Sequence, residues 1–171
     1  MSQAQSAVLP QTSVEQLGEA WLLHLSQHLC VAVGRYELKY LETDYELIQV
    51  PGAPDYCNRC IHWQGQLIPL LEAVQLLQDF VSSKSSLASE VSGLAIVAYE
   101  LQGGGDSQGM GLGALAVTRP PTLVGISAEQ ALDLQALPPR LRQHSRACFT
   151  YQGQSLGCLN LGHLFSPFHG F

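Results

Sequence analysis

An aromatic residue followed by Gln-Gly-Gln is written twice in this chain, as WQGQLIPLL from Trp63 and, 88 positions later, as YQGQSLGCL from Tyr151. A repeat on this scale constrains the fold before any single motif does, because two related units must bury their apolar faces within one chain. Aligned without gaps, Cys60 meets Cys148, Ile61 meets Phe149, Ile68 meets Leu156, Leu71 meets Leu159, Leu76 meets Leu164 and Leu77 meets Phe165. Before each glycine the residues alternate. Ile61 and Trp63 belong to one face and Cys60, His62 and Gln64 to the other, which is the period of a strand. Gly65 and Gly153 supply the backbone freedom of a tight turn. Each copy therefore reads as a β-hairpin with an aromatic anchor, and each is preceded by a similar apolar run, LCVAV at 29–33 and GALAV at 113–117. The chain is expected to form two related β lobes, roughly 21–80 and 93–166, each too short for a full core and sharing one. Residues 1–20 are expected to be a flexible N-terminal segment and 167–171 a tail.

The composition agrees with an ordered globule: 46% of the 171 residues are apolar and 13% are charged, the opposite of a disordered chain. A net charge of −6 with scattered Lys and Arg leaves no footprint for nucleic acid or for an anionic membrane. No apolar run reaches the roughly 18 residues of a membrane span, and the first residues, MSQAQSAVLPQTS, have neither a basic head nor an apolar signal core. The expected location is the cytoplasm.

Along the chain, WLLHLSQHLCVAVG from Trp21 reads as a hairpin turning at Ser26-Gln27-His28; a short amphipathic helix is the rival reading. YELKYLETDYELIQV is strand-like or irregular and ends in a Pro-Gly-x-Pro loop. EAVQLLQDFV has helical spacing, ending before Ser82. SSKSSLASEVS is a small-polar linker. QGGGDSQGMG is a loop between the strands GLAIVAYE and GLGALAVT; a strand follows it, so its glycines do not open a phosphate-binding helix. ISAEQALDL carries a helical turn capped by Ser127 with Gln130 three residues on. LPPRLRQHS is read as a loop, and CFTYQGQSLGCLNLGHLF as a hairpin with a short helical turn.

Cys57-Asn58-Arg59-Cys60 is a CxxC with His62 two residues on. A zinc site would require Cys148, Cys158, His144 and His163 to converge by folding, and a redox pair would open a helix, whereas this one runs into a strand. Small thiols packed beside a barrel are the preferred explanation. No nucleophile is set beside a base in a recognisable pattern, so catalysis is not expected. A metal- or thiol-dependent protein using Cys57, Cys60 and His62 on a β-barrel scaffold is the alternative reading.

The segment VPGAPDYCNRCIHWQGQLIPLLEAVQLL, Val50 to Leu77, resembles that of the CheW family, the adaptor proteins of bacterial chemosensory arrays. Pro51, Ala53, Pro54, Tyr56, Gly65, Ile68 and Pro69 keep the family's pattern; WLLHLSQHLCVAV is similar to its first hairpin and GLGALAV to a later strand. The likeness runs from about Trp21 to Ser166. It implies an all-β fold with a few short helices, built as two five-stranded SH3-like barrels around a shared core, and a non-enzymatic scaffold needing no cofactor. Such a scaffold couples chemoreceptor tips to the regulatory domain of a CheA-type histidine kinase through an exposed apolar edge or groove; a divergent copy points to a type IV pilus pathway. By the same likeness the partner interface is expected at Val33, Arg35, Pro54, Tyr56, Asn58, His62 and Gln64. The chain departs from the pattern at Arg59 (a Gly in the family), His62 (Asn), Trp63 (Leu), Gln64 (Arg), Glu72 (Asp) and Thr118 (Asp). The family Arg meets the receptor, and a Gln cannot supply its bidentate, permanent charge.

Overall fold

A computed structural model describes residues 16–78, 91–101 and 109–168. Most of the expected N-terminal segment, linker, glycine-rich loop and tail therefore lie outside the described residues. Among the described residues, twelve strands form two six-stranded sheets. Lobe I contains β3 (Leu38–Glu42), β4 (Leu47–Gln49), β5 (Arg59–Trp63), β6 (Gln66–Leu71), β7 (Gly93–Glu100) and β8 (Met110–Val117), in the order β3-β7-β8-β6-β5-β4. Lobe II contains β1 (Gln16–His24), β2 (Cys30–Gly34), β9 (Thr122–Ser127), β10 (Ala131–Leu132), β11 (Ser145–Tyr151) and β12 (Gln154–Leu159), in the order β10-β11-β12-β2-β1-β9. Three short helices, α1 (Ala73–Leu77), α2 (Pro139–Gln143) and α3 (Leu161–Leu164), complete the frame. The two all-β lobes are as expected, with a short edge strand, β4 or β10, added to the five of each.

The lobes do not divide at the linker. β2 runs parallel to β12, with Ala32 opposite Cys158, and β1 pairs with β9. Reciprocally, β8 runs parallel to β6, with Leu70 opposite Ala114, and β7 pairs with β3. Each half of the chain lends its leading hairpin to the other half's lobe. The expected division into 21–80 and 93–166 is corrected accordingly: the strands within 38–71 and 93–117 form lobe I, and those within 16–34 and 122–159 form lobe II. The first strand also begins at Gln16, five residues before the expected start at Trp21, because Gln16 is still in register with Ser127.

Burial on both faces explains the exchange. On β1, Ala20 and Leu22 point into lobe II with Ala32, Val124, Phe149 and Leu156, while Leu23 points into the core between the lobes. On β7, Leu94 and Ile96 point into lobe I with Ile61, Ile68 and Leu70, while Ala95, Val97 and Tyr99 point into the shared core. A hairpin apolar on both faces is stable only between two layers, as its near-continuous apolar sequence requires. Thr118 links the two hairpins at their ends: its backbone N–H (2.8 Å) and hydroxyl (3.2 Å) both donate to the His24 carbonyl. In the shared core the Phe165 ring stacks on Tyr99, centroids 5.0 Å apart, and lies over Gly113, where a Cβ would stand 2.3 Å from the Phe165 ring.

Both Gln-Gly turns have two left-handed residues, Gln64 (φ 47°) with Gly65 (φ 79°) and Gln152 (φ 48°) with Gly153 (φ 76°). This is the primed hairpin turn whose twist matches the strands it joins. The glycine was legible; the left-handed glutamine before it was not, since Asn or Asp is the usual occupant. The capped turn at 127–130 is present, with Ser127 N–H donating to Gln130 Oε1 at 2.9 Å and the box completed by the Ser127 side chain. LPPRLRQHS, read as a loop, contains α2: Pro139 sits in the first turn, where a missing N–H costs nothing, and Leu141 anchors the helix in the shared core.

Candidate partner interface

The residues expected at the interface separate into three groups. Val33, on β2, is fully buried in the shared core and offers no surface to a partner, which removes it from the set. Arg35, in the turn leaving β2, pairs with Glu19 of β1, and its guanidinium lies 5.6 Å over the Tyr36 ring. Its carbonyl accepts from Trp21 Nε1 at 3.1 Å, so the turn is fastened at backbone and side chain alike. Glu37 of the same turn is held by Arg146 of β11 at 3.0 Å.

Pro54, Tyr56 and Asn58 lie around the single helical turn that precedes β5. Pro54 is exposed and its carbonyl accepts from Cys57 N–H at 2.9 Å, while Tyr56 is half-buried against the shared core. The Asn58 Oδ1 is buried without a hydrogen-bond partner among the described residues. Next to it, Arg59 and Glu72 pair with each other; these are two positions where the chain departs from the CheW pattern. Gln75 Nε2 donates to the same Glu72 carboxylate at 2.6 Å. His62 and Gln64 are exposed on β5 and at the tip of its turn.

Exposed apolar residues also lie outside the expected set. Leu67 on β6 stands opposite His62 and is 63% exposed. Tyr36 is 78% exposed, and Tyr40 of β3, 54% exposed, lies 6.4 Å from the Trp63 ring, bringing β3 to the base of the β5–β6 turn. The edge strand β4 carries Leu47 and Ile48, both exposed, with one side of its ladder unpaired among the described residues. Scattered exposed apolar residues are ordinary; apolar residues along one sheet edge and its neighbouring hairpin form a surface that can accept another sheet. Leu67 was detectable in the sequence, since a leucine on the solvent-facing phase of an alternating strand is out of place. Tyr40 was not, because its position depends on β3 pairing with β7.

The thiols fit packing. Cys57 is buried in the shared core and Cys60 stands on β5, and burial pushes both thiols up, away from the reactive thiolate. Cys57 and Cys60 are free, and among the described residues no three His, Cys, Asp or Glu side chains are grouped to hold a metal ion. Among the described residues no helix is long and apolar enough to cross a membrane.

No protein-family profile matches the chain, and no curated protein does. The solved structures do: the crystal structure of the scaffolding protein TtCheW from Thermoanaerobacter tengcongensis superposes with a TM-score of 0.65, covering 86% of this chain and 92% of that one at 13% identity. The two-lobed architecture described above is thus a divergent CheW-like fold.

Proposed function

We propose that the chain is a non-enzymatic adaptor of a bacterial chemosensory complex, docking the regulatory domain of a CheA-type histidine kinase. One observation carries this reading: a fold similar to that of a scaffolding protein presents exposed apolar residues, Ile48 of the edge strand and Leu67, on the same sheet face as the exposed His62. An edge of this kind binds through a small buried apolar centre and needs no catalytic group. Receptor contact is the weaker half of the adaptor role, because Gln64 has no guanidinium to offer a receptor tip. The assignment to a type IV pilus pathway rests on that divergence, and a kinase of such a pathway is the one to use.

Calorimetric titration against the kinase regulatory domain is expected to give a dissociation constant below about 50 µM, and no heat at that concentration overturns the reading. Adding receptor tips to the same complex separates a full adaptor from a kinase-only one, with Gln64→Arg expected to increase receptor binding.

A further inference from the structure

On lobe II, between the β1–β2 turn, the β11–β12 turn and the approach to β9, lies a cleft of about 500 Å³. Leu22, Leu29 and Leu156 are among its apolar lining residues, and His24, His28 and Arg119 line it as well. Among the described residues no Asp or Glu lines it, in a chain whose net charge is −6. Arg119 is exposed and forms no ion pair with a carboxylate among the described residues.

His24, paired in register with Cys30 and with its Nε2 3.9 Å from the Cys30 Sγ, is held below its ordinary value by burial and then by Arg119. Burial pushes the Cys30 thiol up, and Arg119 opposes that rise. A neutral His24 keeps one ring N–H to donate, and Arg119 brings a guanidinium fork to the same lining. The second Gln-Gly turn adds Gln152 and Gln154, neutral donors at the rim.

We propose that this cleft binds a small organic oxyanion, its charged head on Arg119 and the surrounding N–H donors and its short apolar body on the lining leucines. A guanidinium with no carboxylate in the cleft's lining among the described residues supplies the attraction, and the apolar lining residues receive the ligand's body. The site is independent of the docking edge, which lies on lobe I.

The test uses the full chain and phenyl phosphate followed by ¹H–¹⁵N NMR, with inorganic phosphate and phenol as the two halves of the probe. Phenyl phosphate is expected to shift the amides near His24, Cys30, Arg119 and Gln152 saturably, with a dissociation constant below about 1 mM, and each half alone to bind more weakly. Arg119→Gln, an exposed substitution whose unfolding midpoint serves as the fold control, is expected to weaken phenyl phosphate at least about fivefold. Absence of saturation by about 10 mM, shifts confined to other surfaces, equal binding by inorganic phosphate, or an unchanged affinity in Arg119→Gln each overturn the proposal.

Discussion

In the β5–β6 hairpin Leu67 faces outward opposite His62; at the same steps of β11–β12, Ser155 stands opposite Thr150. The inward positions of the two hairpins are interchangeable, with Ile61 matching Phe149, Ile68 matching Leu156 and Leu71 matching Leu159, all buried. The φ angles of the two turns agree to within a few degrees. One hairpin thus presents an apolar outer face beside the edge strand β4, and the other places a polar turn at the rim of a cleft. The repeat is held by what packing and backbone geometry demand, and the outward positions, which those demands leave free, distinguish the lobes.

The strongest test of the shared interior is to hollow out each hairpin in turn. Ile61→Ala is expected to cost about 2–5 kcal/mol and Phe149→Ala about 3–5 kcal/mol in urea unfolding, both falling within one cooperative transition because the lobes are built from exchanged hairpins. Two separate transitions would show that the lobes are less interdependent than the exchange requires. The outward faces should respond oppositely. Leu67→Asp is expected to weaken kinase binding about tenfold or more with little change in stability, and Ser155→Asp to leave it unchanged; equal effects at both sites would dissolve the distinction between the lobes.

Smaller effects probe the turns and the hairpin roots. Gln64→Asn and Gln152→Asn each relieve a left-handed glutamine and should add about 0.5 kcal/mol, additively, since the sites are on different lobes. At the roots the copies differ in titratable chemistry: His144 occupies the step of Tyr56, and its ring stacks on that of His163, centroids 5.2 Å apart. Burial, and then His163, hold His144 below its ordinary value of 6.5. The unfolded chain therefore binds the proton more readily than the folded one. The contribution is whole above about pH 6.5 and is lost as pH falls from there toward the lower folded value. Unfolding midpoints measured from pH 7.5 down to pH 5 should decline more steeply for the natural chain than for His144→Tyr.

The sequence names candidate interface residues but not which of them reach the surface. His62, Gln64 and Pro54 were expected at the surface and are there, whereas Val33 lies on a strand whose two faces are both covered, and no alternation marks the second cover. Tyr40 and Ile48 were passed over because their exposure depends on which strands flank β3 and β4. The cleft joins Leu29, Arg119 and Gln152, which are distant in the chain and meet only because β2 reaches β12 and β1 reaches β9.

By itself the sequence determined the β1–β2, β5–β6, β7–β8 and β11–β12 hairpins, the two Gln-Gly turns, the capped turn at 127–130 and the presence of two related lobes, since these follow from period-two alternation, glycine placement and local hydrogen bonding. The tertiary structure decided which hairpin completes which lobe. Alternation records the face on which a side chain lies, not the copy that covers it, and the β1–β2 and β7–β8 hairpins, apolar on both faces, settle where both faces can be buried at once.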